Sequence, residues 1–273
     1  MNPQSRKSQV SINTLFGMKK RGEKFAALTV YDACFADLIS SVGIEVMLVG
    51  DSLGMVLQGH DSTLPVTLEN MVYHMHCVRT GNRGSLIMAD LPFMSYASEG
   101  QSLESAAALM RAGAHIVKLE GGAWLAGSTR LLTERGIPVC AHMGLTPQSV
   151  NRFGGYRVQG RDPGKANAML EEALVLQEAG AVLILLECVP VKLGREIAEC
   201  LEIPVIGIGA GPHTDGQIMV MHDLLGITPS SIKIPKFVKN FLAESEEGVR
   251  GAFKAYANAV YKGSFPAPEH CFT

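Results

Sequence analysis

At 273 residues, with 47% hydrophobic and 18% charged, the chain has enough apolar material for one large core and excludes a disordered or collagen-like polymer. Charge is nearly balanced, 24 Lys and Arg against 26 Asp and Glu, and the densest basic cluster (Lys233, Lys236, Lys239) is interrupted by apolar residues. A nucleic-acid partner, which needs cations gathered on one face, is therefore not expected, and no apolar run reaches the ~18 residues of a membrane span.

The opening MNPQSRKSQV carries positive charge with no apolar segment behind it, so a cytoplasmic protein with a short flexible N-terminus (about 1–10) is expected. Six cysteines without a C-x-x-C pair read as reduced thiols, several of them small hydrophobes in apolar runs.

In chain order, strands are predicted at FAALTVYD (25–32), VGIEVMLVGD (42–51), LIMADLP (86–92), RAGAHIVKLE (111–120), PVCAHMG (138–144), EAGAVLILLE (178–187) and PVIGIGAG (204–211). Three of these superpose: a Gly suited to closing a helix is followed by an apolar run that ends in Asp51, Glu120 or Glu187. Near-continuous apolar strands alternating with helical stretches such as SLESAAALMRAG and ANAMLEEALVLQEAG are the pattern of parallel strands covered on both faces. The fold class is thus α/β, a single (β/α)8 TIM barrel over 1–273, with an open doubly wound sheet as the runner-up. Residues 214–225 read as a helix closed by Gly226, because too few residues follow Gly211 for a crossover. The eighth strand is then expected near 231–237, a final helix over 238–262 and an extended tail over 263–273. The apolar stripe of that helix (Val249, Phe253, Tyr256, Val260) is expected to exceed what one barrel can cover and to demand a partner surface.

In such barrels the chemistry collects at the C-terminal ends of the strands. Those ends carry Asp32, Asp51, Asp90, Glu120, His142 and Glu187, with Lys118 on the same side of its strand as Glu120. Asp32 alone reads equally well as a helix cap. Carboxylates converging on one rim call for a cation or a shared proton, and for a cation, oxygen-only ligands without a His or Cys pattern favour magnesium over zinc. His74 and His76 read as core or surface residues. The connections 52–67 and 144–164 are long enough for lids or binding loops, whereas Gly207-Ile-Gly-Ala-Gly211 is a weak candidate for an anion site before a helix.

The motifs VGDSLGMVLQGHDSTLPVT, ADLPFMSY, VKLEGG, AHMGLTPQ with GGYRVQGR, the LLE strand end and GIGAG, in this order, resemble the ketopantoate hydroxymethyltransferase family from about residue 11 into the SFPAPEH tail. The resemblance implies a barrel of the phosphoenolpyruvate/pyruvate type that transfers a hydroxymethyl group from 5,10-methylenetetrahydrofolate to 3-methyl-2-oxobutanoate, giving 2-dehydropantoate. It implies that Asp51 and Asp90 hold magnesium, with Glu120 completing the site directly or through water. Asp51, Ser52, Asp90, Lys118 and His142 would meet the oxo acid, and Glu187 would be the catalytic base. A homo-oligomer, a decamer in bacterial members, is also implied. The rival readings are a magnesium-dependent 2-oxo acid lyase or mutase on the same barrel, and a catalytically dead barrel used as a scaffold.

Overall fold

The computed structural model describes residues 9–230 and 232–273. Its centre is a closed barrel of parallel strands in the order β1 to β8: Phe25–Thr29, Val46–Val49, Leu86–Asp90, Ile116–Glu120, Val139–Gly144, Leu183–Glu187, Val205–Ile208 and Gly216–Met219. The helices are α1 (Ile12–Arg21), α2 (Ala33–Val42), α3 (Leu53–Val56), α4 (Leu68–Gly81), α5 (Glu99–Ala112) and α6 (Ala126–Glu134). They continue with α7 (Val150–Phe153), α8 (Pro163–Glu178), α9 (Val191–Cys200), α10 (Met221–Leu225) and α11 (Gly248–Tyr261). None is long and apolar enough to cross a membrane.

Alternation along the strands builds two apolar layers. Phe25, Ala27, Val46, Leu48, Met88, Ile116, Cys140, Leu185, Ile206 and Ile218 cluster with one another inside the barrel. Their strand neighbours, such as Leu28, Met47, Ala89, Leu119, Ala141 and Leu186, pack outward with the helices. Helix α1, which the periodicity did not reveal, plugs the interior layer with Leu15. The short helices obey local signals: Asp32 accepts from Phe35 N–H as the cap of α2, and Gly43 ends that helix at φ +93°, a conformation a Cβ would penalise. Asp32 is accordingly a cap.

The eighth strand is Gly216–Met219, paired to β7 and β1, and not 231–237. The apolar run 218–225 fuses the end of that strand with α10, so its periodicity reads as one helix. A crossover helix is not needed here, because a four-residue strand rises only about 13 Å and residues 209–215 can span about 23 Å when extended. Side chains fasten this connection: Gln217 Nε2 donates to Gly211 O at 3.0 Å and to Thr214 Oγ1 at 2.8 Å. Gly226 does close α10, at φ +65°.

The final helix is shorter than expected, and its apolar stripe is covered within the chain. Phe253, Tyr256 and Val260 are fully buried, and the Tyr256 hydroxyl lies 3.0 Å from Ala27 O and 2.8 Å from Gln217 O, over the β1–β8 seam. The stripe therefore gives no reason for a partner surface. At the other end of the chain, Val10 N–H donates to Gly84 O, so residues 9 and 10 are anchored, while residues 1–8 of the expected flexible terminus lie outside the described residues. All six cysteines are free thiols.

Close packing of α2 against α4 makes one glycine informative. Gly81→Ala would ordinarily favour a helix by up to about 1 kcal/mol, but a Cβ there would fall 2.0 Å from the backbone oxygen of Ala33. The variant is expected to lower stability by about 1–3 kcal/mol, read as a lower urea midpoint. An unchanged or higher midpoint would show that α2 and α4 are not packed this tightly.

Candidate active site

The interior layer turns polar at its upper end. Asp90, Lys118, Glu120, His142 and Glu187 continue the inward register of β3 to β6, and register pairing sets Asp90 beside Lys118 and Glu120 beside His142. Lys118 Nζ sits 2.8 Å from Asp90 Oδ1, 3.0 Å from His142 Nδ1 and 3.8 Å from Glu120 Oε1. Asp51 arrives differently, from the turn after β2: its N–H donates to Asp90 Oδ2 at 3.0 Å. The next residue, Ser52, shares a 2.8 Å hydrogen bond with the Tyr31 hydroxyl, which in turn donates to Thr29 Oγ1 at 2.9 Å.

Gln148, absent from the sequence-based set, ties these groups together. Its Nε2 donates to Asp51 Oδ2 at 2.8 Å and to Leu91 O at 2.9 Å, and its backbone N–H donates to Glu120 Oε2 at 2.9 Å. The buried Tyr96 hydroxyl fixes the amide by donating to Gln148 Oε1. Both residues end motifs that carry the family resemblance, AHMGLTPQ and ADLPFMSY, but neither carries a charge at a strand end. The length of the 144–164 connection was the available clue to Gln148.

Charge is unevenly matched. Four carboxylates (Asp51, Asp90, Glu120, Glu187) face Lys118 and His142, and all but Glu187 are almost completely buried. Burial, with the charges of Asp90 and Glu120, holds the Asp51 carboxyl well above the usual carboxylate range, against the pull of Lys118 and Gln148. Burial should neutralise Lys118, but Asp90, Glu120 and Asp51 outweigh it and keep the ammonium charged. Burial likewise works against an ionised Glu120, yet contacts with His142, Lys118 and the Gln148 N–H hold it below its ordinary value. Burial and Lys118 push His142 down, and its contacts with Glu120 and Glu187 more than offset them.

His142 links two carboxylates, with Nδ1 3.3 Å from Glu120 Oε1 and Nε2 3.2 Å from Glu187 Oε2, the latter not aligned for a full hydrogen bond. An ammonium has no lone pair, so a neutral His142 accepts from Lys118 at Nδ1 and carries its proton on Nε2, toward Glu187.

No group of three or more His, Cys, Asp or Glu among the described residues is arranged to hold a metal ion. A magnesium ion does not need one: it is commonly held by one or two carboxylates, with substrate and water completing the octahedron. Asp51 and Asp90 fit that role, adjacent, buried and short of positive charge. Glu120 Oε2 accepts from the Gln148 N–H and Oε1 faces both His142 and Lys118, which suits a place beside the ion rather than a direct bond to it.

All seven expected site residues, Asp51, Ser52, Asp90, Lys118, Glu120, His142 and Glu187, line one cavity of about 500 Å³. Met55 and Val56 enter it from the 52–67 connection, Pro147, Tyr156 and Val158 from 144–164, and Phe272 from the tail. Residues 232–237, expected as the last strand, form a wall instead. Gly207–Gly211 leads into β8 rather than a helix, so the anion-site expectation fails. His74 and His76 stay outside the cavity, with His74 Nδ1 2.8 Å from Tyr31 O.

The Ketopantoate hydroxymethyltransferase family model matches residues 9–268. The 3-methyl-2-oxobutanoate hydroxymethyltransferase of Marinobacter nauticus is 60% identical over 263 residues, spanning 96% of this chain and 98% of the relative. That of Erwinia tasmaniensis is 60% identical over 262 residues, spanning 96% and 98%. Among solved structures, a putative phosphonomutase from Burkholderia cenocepacia superposes with a TM-score of 0.61 at 16% identity, over 79% of this chain and 95% of that one. 2,3-dimethylmalate lyase, a PEP mutase/isocitrate lyase superfamily member, superposes with a TM-score of 0.55 at 15% identity, over 76% and 80%. At such identities these two likenesses establish the fold.

The charge imbalance makes a signed expectation for protein freed of divalent ions. A carboxyl raised in the folded state binds more protons there than in the unfolded chain, so its contribution to stability grows as pH falls through its folded value and is complete below the ordinary ~3.9. Asp51→Asn removes that penalty and is expected to raise stability at pH 7 on the order of 1 kcal/mol, a gain that shrinks toward acid pH. Adding millimolar magnesium should raise the melting temperature of the wild type and not of the variant. A chelated variant no more stable than the chelated wild type would contradict the charge argument.

Proposed function

The chain belongs to the ketopantoate hydroxymethyltransferase family, and on that premise we propose how this transferase works: 3-methyl-2-oxobutanoate accepts a one-carbon unit from 5,10-methylenetetrahydrofolate and leaves as 2-dehydropantoate, for pantothenate biosynthesis. The oxo acid lies over Asp51, Ser52, Asp90 and Lys118. Asp51 and Asp90 would hold a magnesium ion, with Glu120 reaching it through water, and that ion would supply the Lewis acidity that makes the C3–H more acidic. Lys118 adds a fixed positive charge where the enolate oxygen develops, in a site that largely excludes water. Glu187 takes the C3 proton, and His142 orients it. Water adds to the one-carbon unit and breaks its bonds to N5 and N10, so that tetrahydrofolate departs and the carbon remains as formaldehyde. The enolate carbon bonds to it as its C=O opens, and the proton taken by Glu187 passes to the new alkoxide.

The observation that carries this reading is the placement of Glu187. Its carboxylate reaches into the same cavity as Asp51 and Asp90 but pairs with His142 rather than with Lys118 or the aspartates. A general base has to be near the metal ligands without being consumed by them. A lyase reading that uses a reactive thiol finds less support: Cys188 lines the cavity, but burial and the Glu187 charge push its thiol up, away from a thiolate.

Separating enolisation from one-carbon transfer tests the assignment. With magnesium and no folate, the wild type should exchange the C3 hydrogen of 3-methyl-2-oxobutanoate for deuterium, followed by NMR. Glu187→Gln should slow exchange by roughly 10² to 10⁴ while calorimetry shows near-normal oxo acid binding. Asp90→Asn should lose binding and exchange together. Wild-type exchange rates in Glu187→Gln would remove Glu187 as the base.

The same reading makes the working form a one-domain barrel in a cytoplasmic homo-oligomer, a decamer as the family resemblance implies. Sedimentation at micromolar concentration is expected to show an assembly, and a lone 29.2 kDa species would refute it.

A further inference from the structure

The cavity has a second polar feature besides the charge cluster. Asp223, in the first turn of α10, lines the cavity and is only 8% exposed. The Thr228 hydroxyl donates to its Oδ1, while Oδ2 has no hydrogen-bond partner among the described residues. Neither Lys118 nor any of the carboxylates assigned above bonds to it. A carboxylate oxygen that faces a cavity with no donor from the protein is free to accept from something the site binds. Apolar Ile218, Ile232, Pro235 and Phe237 line the same cavity, as does the exposed Lys233. The cavity of about 500 Å³ is far larger than a small branched oxo acid requires and is of the size that takes a drug-sized molecule.

We propose that this lining is the subsite for the one-carbon donor, with Asp223 reading the pterin edge and Lys233 meeting the glutamate tail. The inference rests on the donor being a reduced folate. A 2-amino-4-oxopterin presents N3–H and the exocyclic amine side by side, two donors that match the two oxygens of one carboxylate. Thr228 holds the plane of that carboxylate. It leaves Oδ2 and the second lone pair of Oδ1 for the ligand. Ile232 and Phe237 offer flat apolar contact to the ring, and the tail carboxylates leave the cavity where Lys233 is free to pair with them.

Calorimetry of tetrahydrofolate, of its triglutamate and of tail-less 6-methyltetrahydropterin on the magnesium-loaded protein tests the assignment. Asp223→Asn replaces an acceptor oxygen with a donor and should weaken all three ligands at least about tenfold. Thr228→Val should weaken all three by a few fold. Lys233→Gln, a surface change that leaves the fold alone, should erase the advantage of triglutamate over tetrahydrofolate and leave the pterin unaffected. If Asp223→Asn melts far below the wild type, Thr228→Val and Lys233→Gln decide the matter alone. Unchanged affinities in the variants, with the wild type binding tetrahydrofolate, would overturn the subsite while leaving the proposed reaction standing. A wild type that exchanges the oxo acid C3 hydrogen but binds none of the three ligands would overturn the donor and the subsite together.

Discussion

One buried ammonium organises the top of this barrel. Lys118 is within 3.8 Å of Asp90, Glu120 and His142, and a charge so placed costs several kcal/mol to desolvate unless its partners are close and ionised. The partners have the mirror problem, since buried carboxylates this close repel one another. Each side therefore makes the other tolerable, and removing either leaves uncompensated charge in an apolar wall. Parallel pairing makes the arrangement possible, because the register of β3 with β4 and of β4 with β5 brings side chains distant in sequence to one level. Lys118 does not finish the neutralisation, however. The carboxyl of Asp51 remains raised, which is the electrostatic reason a divalent ion suits this pair.

The strand ends were legible because period two and burial act on every residue of a strand alike. Once Glu120 was placed inward, Lys118 had to follow, and the same rule carried Asp90, His142 and Glu187. Where the sequence misled, two elements shared one apolar run: Ile218 and Met219 are strand, Met221 to Leu225 are helix, and no turn residue separates them. The stripe of α11 misled for a different reason. Hydrophobic periodicity reports that a face is buried, not against what, and here β1, β8 and α2 suffice. Gln148 and Tyr96 were invisible because neutral residues delivered by loops acquire meaning only through the partners that the fold brings to them.

The proposed division between ligands and base rests on the same geometry. Asp51 and Asp90 share a hydrogen bond and the field of Lys118, whereas Glu187 comes from β6, with His142 between it and Glu120. Carboxylates of one chemical type thus take different duties through environment alone. Glu187 is also the most exposed of them, with 14% of its side chain accessible, which suits the proposed role of base.

The connection 144–164 ties the two duties together mechanically. At its start, Gly144 adopts φ +88° with space for no Cβ, which would fall 2.3 Å from Glu187 O, and Leu145 N–H then donates to that same oxygen. Three residues on, Gln148 clasps Asp51 and Glu120. Farther along, Gln159 N–H donates to Cys188 O, while Cys188 N–H donates to Ile208 O. Cys188 itself stands at φ +49°, a left-handed conformation that a non-glycine residue keeps only when its surroundings over-determine it. The backbone at Glu187 is therefore held from one side by this loop and from the other by β7. Because this loop holds both the backbone of the proposed base and the carboxylate of Asp51, a shift of it would move the two together.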